Sequence, residues 1–170
     1  EKWVTQINKH DVWNHTMRGY DEKTGYKDQS IGDTPKVLSI QLDGKETRVV
    51  GAGCKNGGFY LLRIDDGSIL AQTPIYLGPP MDNPKIDPRT LALPSTIGGL
   101  QTGCASDGKS FFTNGIDCIF KVRHPMRRLA PPSGGRVTSI SADTKTENWR
   151  HERPKVPWVG GTKEKPMFQN

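Results

Sequence analysis

The chain has 170 residues, of which 33% are hydrophobic, and glycine (19) and proline (13) are abundant. This composition suits short strands joined by turns and excludes a helical bundle, since no stretch keeps apolar residues at helical spacing for three turns. The formal net charge is +6, but the sequence has no arginine-rich helix and no aromatic–basic alternation that would indicate nucleic-acid binding, and no apolar run of membrane-spanning length.

The first half of the chain predicts four consecutive strands. They are the apolar-rich stretches at residues 37–42, 47–54, 58–64 and 68–73. Three turn signals separate them, Asp43-Gly44, Asn56-Gly57 and Asp65-Asp66-Gly67. Because such turns join antiparallel neighbours, the region predicts a four-stranded antiparallel meander.

The second half predicts another group of four strands, at residues 100–106, 109–114, 135–142 and 149–153. A proline- and arginine-rich excursion at residues 119–134 interrupts the group. Its most basic part, residues 123–128, is expected to be a solvent-exposed loop, since connecting segments run over the surface. The alternative is that this loop docks an acidic partner.

A tryptophan recurs at a fixed distance after a turn. Asp143 and Thr144 precede Trp149 by six and five residues. Trp3 occupies the corresponding slot at the start of the chain, whereas the first group carries Ala71 there. A tight turn followed by a large aromatic suits packing onto a neighbouring group of strands, and repeated four-stranded meanders are typical of β-propeller blades. We therefore predict an all-β fold made of propeller blades.

The expected division of the chain follows from these blades. Residues 1–36 form the end of one blade and a polar excursion, 37–97 a second blade with its connection, 98–153 a third blade with the basic insertion at 119–134, and 154–170 a tail leading to a next blade. Two whole blades do not close a ring of about four to eight. We expect a fragment or subunit of a larger, eight-bladed-type propeller rather than an assembly of several copies.

Three cysteines, Cys54, Cys104 and Cys118, have neither the CxxC nor the CxxCH spacing. Zinc ribbons and covalently attached haem are therefore not supported. A disulfide between Cys104 and Cys118 across a hairpin stays open at this point, because its formation depends on strict geometry.

Several stretches resemble a known family. "KWVTQINKHDVWN" (residues 2–14), "VVGAGCKNGGFYLLRIDDGSIL" (49–70) and "GGRVTSISADTKTENWR" (134–150) are similar to segments of the pyrroloquinoline-quinone-dependent alcohol and methanol dehydrogenases. These are periplasmic quinoproteins with an eight-bladed propeller. The resemblance covers most of residues 1–155 and implies the same architecture. It also implies a location in the periplasm or cell envelope of a bacterium.

The resemblance assigns a role to Lys55. In the family, the basic residue before Asn-Gly reaches the ortho-quinone oxygens of the cofactor, and Lys55 has that position. An ammonium group there polarises the carbon that accepts hydride and stabilises the oxyanion that forms. The alternative is a solvated hairpin lysine, since charged residues are mostly exposed. Trp13 could line the cofactor chamber, although blade packing is the commoner use of a propeller aromatic.

The same motif departs from the family at the catalytic base. Family members carry an aspartate directly after the tryptophan, where Asn14 follows Trp13 here. An amide cannot accept a proton at useful pH, so we expect Asn14 to be inactive as a base, and such a loss typically costs about 10² to 10⁴ in rate. Asp11 faces away from that position if the segment is a strand. His15 could act as a base near neutral pH, although on a strand it also faces the opposite side. The amide oxygen of Asn14 could ligate Ca²⁺, but one neutral oxygen does not make a calcium site.

Two functions remain open from the sequence. One is a quinoprotein oxidoreductase that oxidises an alcohol-type substrate with pyrroloquinoline quinone. The other is a non-catalytic propeller that acts as a protein-interaction scaffold or as an accessory subunit of a larger complex. Lys55 favours the first function and Asn14 favours the second. Expected partners are the remaining blades or other subunits, and an acidic redox protein such as a cytochrome.

Overall fold

The computed structural model describes residues 2–7, 30–75, 91–92, 99–121, 129–143 and 145–152. Within these ranges the chain is all-β. The strands are β1 (Lys36–Leu42), β2 (Lys45–Gly53), β3 (Gly58–Arg63), β4 (Ile69–Pro74), β5 (Leu91–Ala92), β6 (Ala105–Ser106), β7 (Ser110–Lys121), β8 (Leu129–Ser141) and β9 (Glu147–Glu152).

The first sheet confirms the predicted meander. Its strands are antiparallel and lie in the order β1-β2-β3-β4. Asp43 (φ 52°) and Gly44 (φ 74°) both have positive φ, which is the requirement of the tight turn that matches strand twist. The next two turns use Gly57 (φ 85°) and Gly67 (φ 72°). Local turn chemistry therefore determines where each strand ends.

The second sheet is more irregular than predicted. Its order is β5-β7-β8-β9, and β6 also pairs with β7. The predicted strand at residues 100–106 is reduced to β6 and an isolated bridge between Gly99 and Ile116. The pieces β6, Gly99 and β5 all pair with β7 and together replace one continuous strand.

The excursion expected at residues 119–134 is partly strand. β7 continues to Lys121 and β8 begins at Leu129, with pairs Ile119↔Ala130 and Phe120↔Leu129 beyond a register shift. Backbone pairing with the partner strand outweighs the turn tendency of the prolines in this segment. Residues 122–128, which hold the expected basic loop, lie outside the described residues.

The core lies between the two sheets. Phe59 of β3 contacts Phe111 of β7, with ring centroids 5.1 Å apart and planes inclined by 48°. Val49, Leu61 and Ile140 are buried in the same cluster, and burial of each such side chain stabilises the fold by roughly 1.5–3 kcal/mol. The sheets thus pack face to face, as neighbouring blades would.

A buried carboxylate joins the two sheets at one edge of this core. Asp33 is 8% exposed, and its two oxygens accept hydrogen bonds from the backbone N–H groups of Gly53 (2.8 Å) and Cys104 (2.6 Å). Bonds from backbone N–H groups to a carboxylate are stronger than bonds between neutral groups. Asp33 therefore fixes the end of β2 against the segment before β6.

Trp3 docks on the turn between β3 and β4. Its indole N–H donates to the carbonyl of Ile64 (2.6 Å), and the Thr5 hydroxyl donates to the carbonyl of Gly67 (2.6 Å). The Trp3 ring lies over Gly67, where an added Cβ would be 2.4 Å from a ring carbon. We call this the first docking contact. It confirms that the aromatic slot packs on a neighbouring turn.

A second docking contact repeats the arrangement one blade further on. The Thr73 hydroxyl of β4 donates to the carbonyl of Lys145 (3.2 Å), in the turn between β8 and β9. Lys145 has φ 62°, as Gly67 has φ 72° in the first turn. Ala71 precedes Thr73 by two residues, as Trp3 precedes Thr5. The two sheets are thus related as successive blades of a repeat.

Candidate functional site

Lys55 lies at the head of the hairpin between β2 and β3. The turn is closed by two backbone hydrogen bonds, from Gly57 N to Cys54 O (3.0 Å) and from Cys54 N to Gly58 O (2.9 Å). The half-buried Lys55 and Asn56 occupy the two central positions, and positive φ falls on Gly57, which pays no Cβ penalty. The backbone under the Lys55 side chain is therefore held in a single conformation.

The Asn56 side chain stabilises the hairpin through two hydrogen bonds. Its side-chain oxygen accepts a hydrogen bond from Gly58 N (2.8 Å), and its Nδ2 donates to the Tyr60 hydroxyl (2.6 Å). Burial raises the pKa of the Tyr60 phenol, the largest effect on that group, so the phenol stays protonated at neutral pH. Asn56 thus stabilises the turn on which Lys55 lies.

Segments from outside the hairpin anchor it on both sides. The Lys55 N–H donates to Ser30 O (3.0 Å), and Leu100 N–H donates to Cys54 O (3.1 Å). Gly99, with φ 76°, approaches so closely that an added Cβ would lie 2.2 Å from the Lys55 carbonyl oxygen. Gly99 also exchanges two hydrogen bonds with Ile116 of β7 (2.9 and 3.0 Å). Lys55 therefore lies where the two blades meet.

A second cation lies beside this junction. Arg136 of β8 is 4% exposed, and its guanidinium donates to the carbonyl of Ile75. It lies at a closed crevice that Gly57 and Gly99 also line and that has no room for a water molecule. Sequence reasoning missed Arg136. The signal was its place in an alternating strand, where position 136 shares a face with the buried Thr138 and so points inward.

The arrangement suits negatively charged or polarisable oxygens. Two cationic residues, Lys55 on its hairpin and the buried Arg136, belong to the blade junction. Donors that are held in place stabilise developing negative charge without reorganisation. By charge and hydrogen-bonding capacity, a lysine such as Lys55 suits a carboxylate, a phosphate or a quinone oxygen better than an apolar ligand.

Part of the predicted site cannot be placed beside Lys55. Trp13, Asn14 and the neighbouring Asp11 and His15 lie outside the described residues, which omit 8–29. Asn14 as the family's inactive base position and Trp13 as a cofactor-lining residue stay predictions. Within the described ranges, no group of three or more His, Cys, Asp or Glu residues could hold a metal ion.

The Cys104–Cys118 disulfide that the sequence left open does not form, since Cys104 is a buried free thiol. The strand register explains why. Ala105 lies opposite Phe112, so Cys104 is closest to position 113 of β7. Cys118 lies about 17 Å further along the same strand, which is far beyond the distance that a disulfide can span. Burial, together with the Asp33 carboxylate, raises the pKa of the Cys104 thiol to about 12. The thiol is therefore protonated at neutral pH and unreactive.

Comparison with known proteins adds one observation. No family model matches the sequence and no curated protein matches it. Among solved structures, the chain is similar to a quinohemoprotein alcohol dehydrogenase from Pseudomonas putida HK5, with 15% sequence identity and a TM-score of 0.50. The match covers 71% of this chain and 25% of that chain. The chain has the fold of β-propeller blades.

The likeness settles architecture rather than chemistry, because one fold can carry many activities. The chain spans about a quarter of the length of the dehydrogenase it resembles. Two sheets are described here, and Trp3 docks on a turn of the first. Nowhere in the described ranges does a helix have the length and apolar character needed to cross a membrane.

Proposed function

We propose that this chain forms part of a quinoprotein-like oxidoreductase, in which the Lys55 hairpin faces pyrroloquinoline quinone and an alcohol-type substrate is oxidised. The observation that carries the proposal is the fixed Lys55 hairpin at the blade junction, held by Ser30 and Gly99. The structural likeness to a quinohemoprotein alcohol dehydrogenase supports it.

The residues at the junction fit such a group. Pyrroloquinoline quinone carries carboxylates and two adjacent carbonyl oxygens, which are all hydrogen-bond acceptors. A lysine ammonium donates hydrogen bonds only, as the acceptor oxygens of this cofactor require, and Arg136 places a second cation at the blade junction. The donor set therefore has the sign of charge and the hydrogen-bonding capacity that this cofactor requires.

The chemical role of this chain is electrostatic. When bound, the quinone supplies the two-electron acceptor for oxidation of the alcohol. Lys55 would bind a carbonyl oxygen and stabilise negative charge on it, while the hairpin keeps the ammonium in place. Arg136, fixed by its bond to Ile75, would strengthen the positive potential without leaving the interior.

The proton acceptor is the group in which this chain departs from the family. Asn14 replaces the family's aspartate, so another residue would have to accept the alcohol proton. If none does, the protein is a non-catalytic propeller that serves as a scaffold or accessory subunit, and Asn14 is the observation that favours this second function. A calcium ion at the Asn14 amide oxygen stays a prediction.

The setting of the site is also part of the proposal. A complete pocket needs the remaining blades or other subunits, since this chain spans only part of the related enzyme. The net charge of +6 suits an acidic redox partner such as a cytochrome. Such an enzyme would work in the periplasm or cell envelope of a bacterium.

Cofactor content tests the proposal. The native protein would be denatured and free pyrroloquinoline quinone quantified by mass spectrometry against protein. We expect stoichiometric quinone, and at least about a tenfold lower content in Lys55→Ala, since hydrogen bonds to charged groups contribute roughly 1.5–3 kcal/mol. The control is Lys45→Ala, an exposed lysine at the other end of β2, which should leave the content unchanged.

Two results would contradict the proposal. The native protein could contain no quinone, or Lys55→Ala could keep full content and thereby place the cofactor elsewhere. In the first case the protein would be a propeller used for its surface, and Lys55 an ordinary hairpin charge.

A further inference from the structure

Asp33 completes the backbone ladder at the base of the Lys55 hairpin. Alternate N–H groups at the end of β2 are bonded to the segment before β1. The N–H of Gly53 donates to the Asp33 carboxylate (2.8 Å), and the N–H of Lys55 donates to the carbonyl of Ser30 (3.0 Å). A carboxylate oxygen therefore takes the place that a strand carbonyl would have in a regular ladder.

The second oxygen of Asp33 bonds to the segment that anchors the hairpin on its other side. It accepts the N–H of Cys104 (2.6 Å). The same segment begins at Gly99, which approaches so closely that an added Cβ would lie 2.2 Å from the Lys55 carbonyl oxygen. One carboxylate thus joins the two segments that anchor the hairpin.

The carboxylate is closely enclosed. Asp33 is 8% exposed. A Cβ added to Gly53 would lie 3.0 Å from Asp33 Oδ2 and 2.6 Å from the Cβ of the buried Leu100, and a Cβ added to Gly32 would lie 2.9 Å from the Leu100 carbonyl oxygen. Glycines at positions 32 and 53 therefore allow the two anchoring segments to lie against each other with the carboxylate between them.

We propose that Asp33 is a positioning residue for the Lys55 ammonium. It acts through the backbone, because its bonds to Gly53 and Cys104 fix the point from which the Lys55 side chain extends. Groups that bind a ligand need to be held to within about 0.5 Å of their productive position. This inference deepens the proposed function and rests on it, since the ammonium has a required position only relative to a bound quinone.

Asp107 shows how a purely local carboxylate differs. Its Oδ1 accepts two backbone N–H bonds, from Lys109 (2.9 Å) and Ser110 (2.7 Å), in the exposed turn before β7. Those bonds close a turn within three residues. The partners of Asp33 are 20 and 71 residues away along the chain, so its bonds fix distant segments against each other. Asp107 is therefore the matched control for Asp33.

A double-mutant cycle in quinone binding tests the proposal. The native assembly, freed of quinone, would be titrated with pyrroloquinoline quinone as the parent, Asp33→Asn, Lys55→Met and the double variant. Asparagine keeps the size of Asp33 but turns an NH₂ group towards one of the two backbone donors.

We expect Asp33→Asn to raise the Kd roughly threefold to tenfold when Lys55 is present, the size of coupling that is found within one network. The same substitution should leave the Kd unchanged in the Lys55→Met background, because Asp33 acts only through Lys55. Asp107→Asn should leave it unchanged in both backgrounds. If Asp33→Asn does not fold, Asp33→Glu takes its place, since it keeps both acceptor oxygens but moves them by one methylene, and the same coupling should appear.

Hydrogen exchange gives a readout that does not need the cofactor. Deuterium uptake of the native protein without quinone would be followed by mass spectrometry in the peptide that covers residues 53–58. Asp33→Asn should speed exchange there at least about fivefold, because a buried donor loses its acceptor and the hairpin opens more often. Asp107→Asn should leave exchange in this peptide unchanged.

Three results would overturn the proposal. An equal rise in Kd with and without Lys55 would make Asp33 a purely structural residue. An unchanged Kd in Asp33→Asn, while Lys55→Met weakens binding, would mean that the ammonium keeps its position without the carboxylate. Unchanged exchange in residues 53–58 would mean that Asp33 does not hold the hairpin.

Failure of the proposed function has a different signature. In that case the parent binds no quinone, or Lys55→Met binds it as tightly as the parent does. A role of Asp33 towards a cofactor would then be refuted as well, and the exchange measurement would show separately whether Asp33 holds the hairpin.

Discussion

The two docking contacts use one backbone arrangement with very different side chains. In the first, the Trp3 ring covers Gly67, where an added Cβ would lie 2.4 Å from a ring carbon. In the second, the aromatic position is Ala71, and the residue with positive φ is Lys145 rather than glycine. A turn residue covered by a tryptophan ring has to be glycine, because a Cβ would collide with the ring. A turn residue that faces a small residue such as Ala71 can carry a side chain, as Lys145 does.

The two contacts share a hydroxyl hydrogen bond and differ in the aromatic ring, which only the first contact has. A hydroxyl-to-carbonyl bond occurs in both contacts, from Thr5 in the first and from Thr73 in the second, so this bond forms whether or not a tryptophan is present. The ring adds buried apolar area and an indole hydrogen bond. The first contact should therefore be the stronger of the two, and the following variants test this.

Gly67→Ala should have the largest effect. The new Cβ would combine backbone strain at φ 72° with a collision against Trp3, and we expect a loss of about 3 kcal/mol in the free energy of unfolding. The control is Gly44→Ala, at φ 74° with no atom near the added Cβ, which should cost about 1 kcal/mol through strain alone. Urea unfolding measures both, and equal losses would contradict a docked Trp3.

Trp3→Ala should lower the free energy of unfolding by about 2–3 kcal/mol, because it removes both the ring and the bond to Ile64. Trp3→Phe keeps most of the apolar area and should lose only about 1 kcal/mol, the contribution of one hydrogen bond. Chemical denaturation of the two variants beside the parent checks the ranking. A Trp3→Phe loss as large as that of Trp3→Ala would show that the hydrogen bond, not the ring, dominates the first contact.

A smaller effect is expected from converting the second contact into the first. Ala71→Trp alone should destabilise by roughly 1–3 kcal/mol, since the ring would meet the Lys145 turn. Combined with Lys145→Gly, the loss should shrink, giving a favourable coupling of about 1 kcal/mol in a double-mutant cycle. Additive effects would mean that positions 71 and 145 do not face one another as Trp3 and Gly67 do.

The first sheet could be predicted from the sequence because its turns are local. Asp43-Gly44 and Asn56-Gly57 determine the strand ends without reference to distant residues. In the second sheet, β5 exists only through the pairing of Leu91 and Ala92 with the distant Lys121 and Phe120, and β7 extends to Lys121 through its pairing with β8. Short-range patterns do not report such pairing.

The candidate site was predicted only in part. Lys55 was found from its turn, because Asn-Gly after a strand is a strong signal. Arg136 was not found, because charge in a strand normally indicates a solvated side chain, although alternation places it on the same face as Thr138 and Ile140. The position of Asn14 relative to Lys55 lies outside the described residues, so the missing base stays a sequence prediction.

The most direct test of the proposed function compares how tightly pyrroloquinoline quinone binds to variants of two lysines, Lys55 and Lys45. The native assembly would be titrated with pyrroloquinoline quinone in the parent, Lys55→Met and Lys45→Met forms. We predict that Lys55→Met raises the Kd roughly tenfold to a hundredfold, as loss of a charge-assisted hydrogen bond implies, while Lys45→Met leaves it unchanged. Equal affinity in all three forms would contradict a cofactor-facing Lys55.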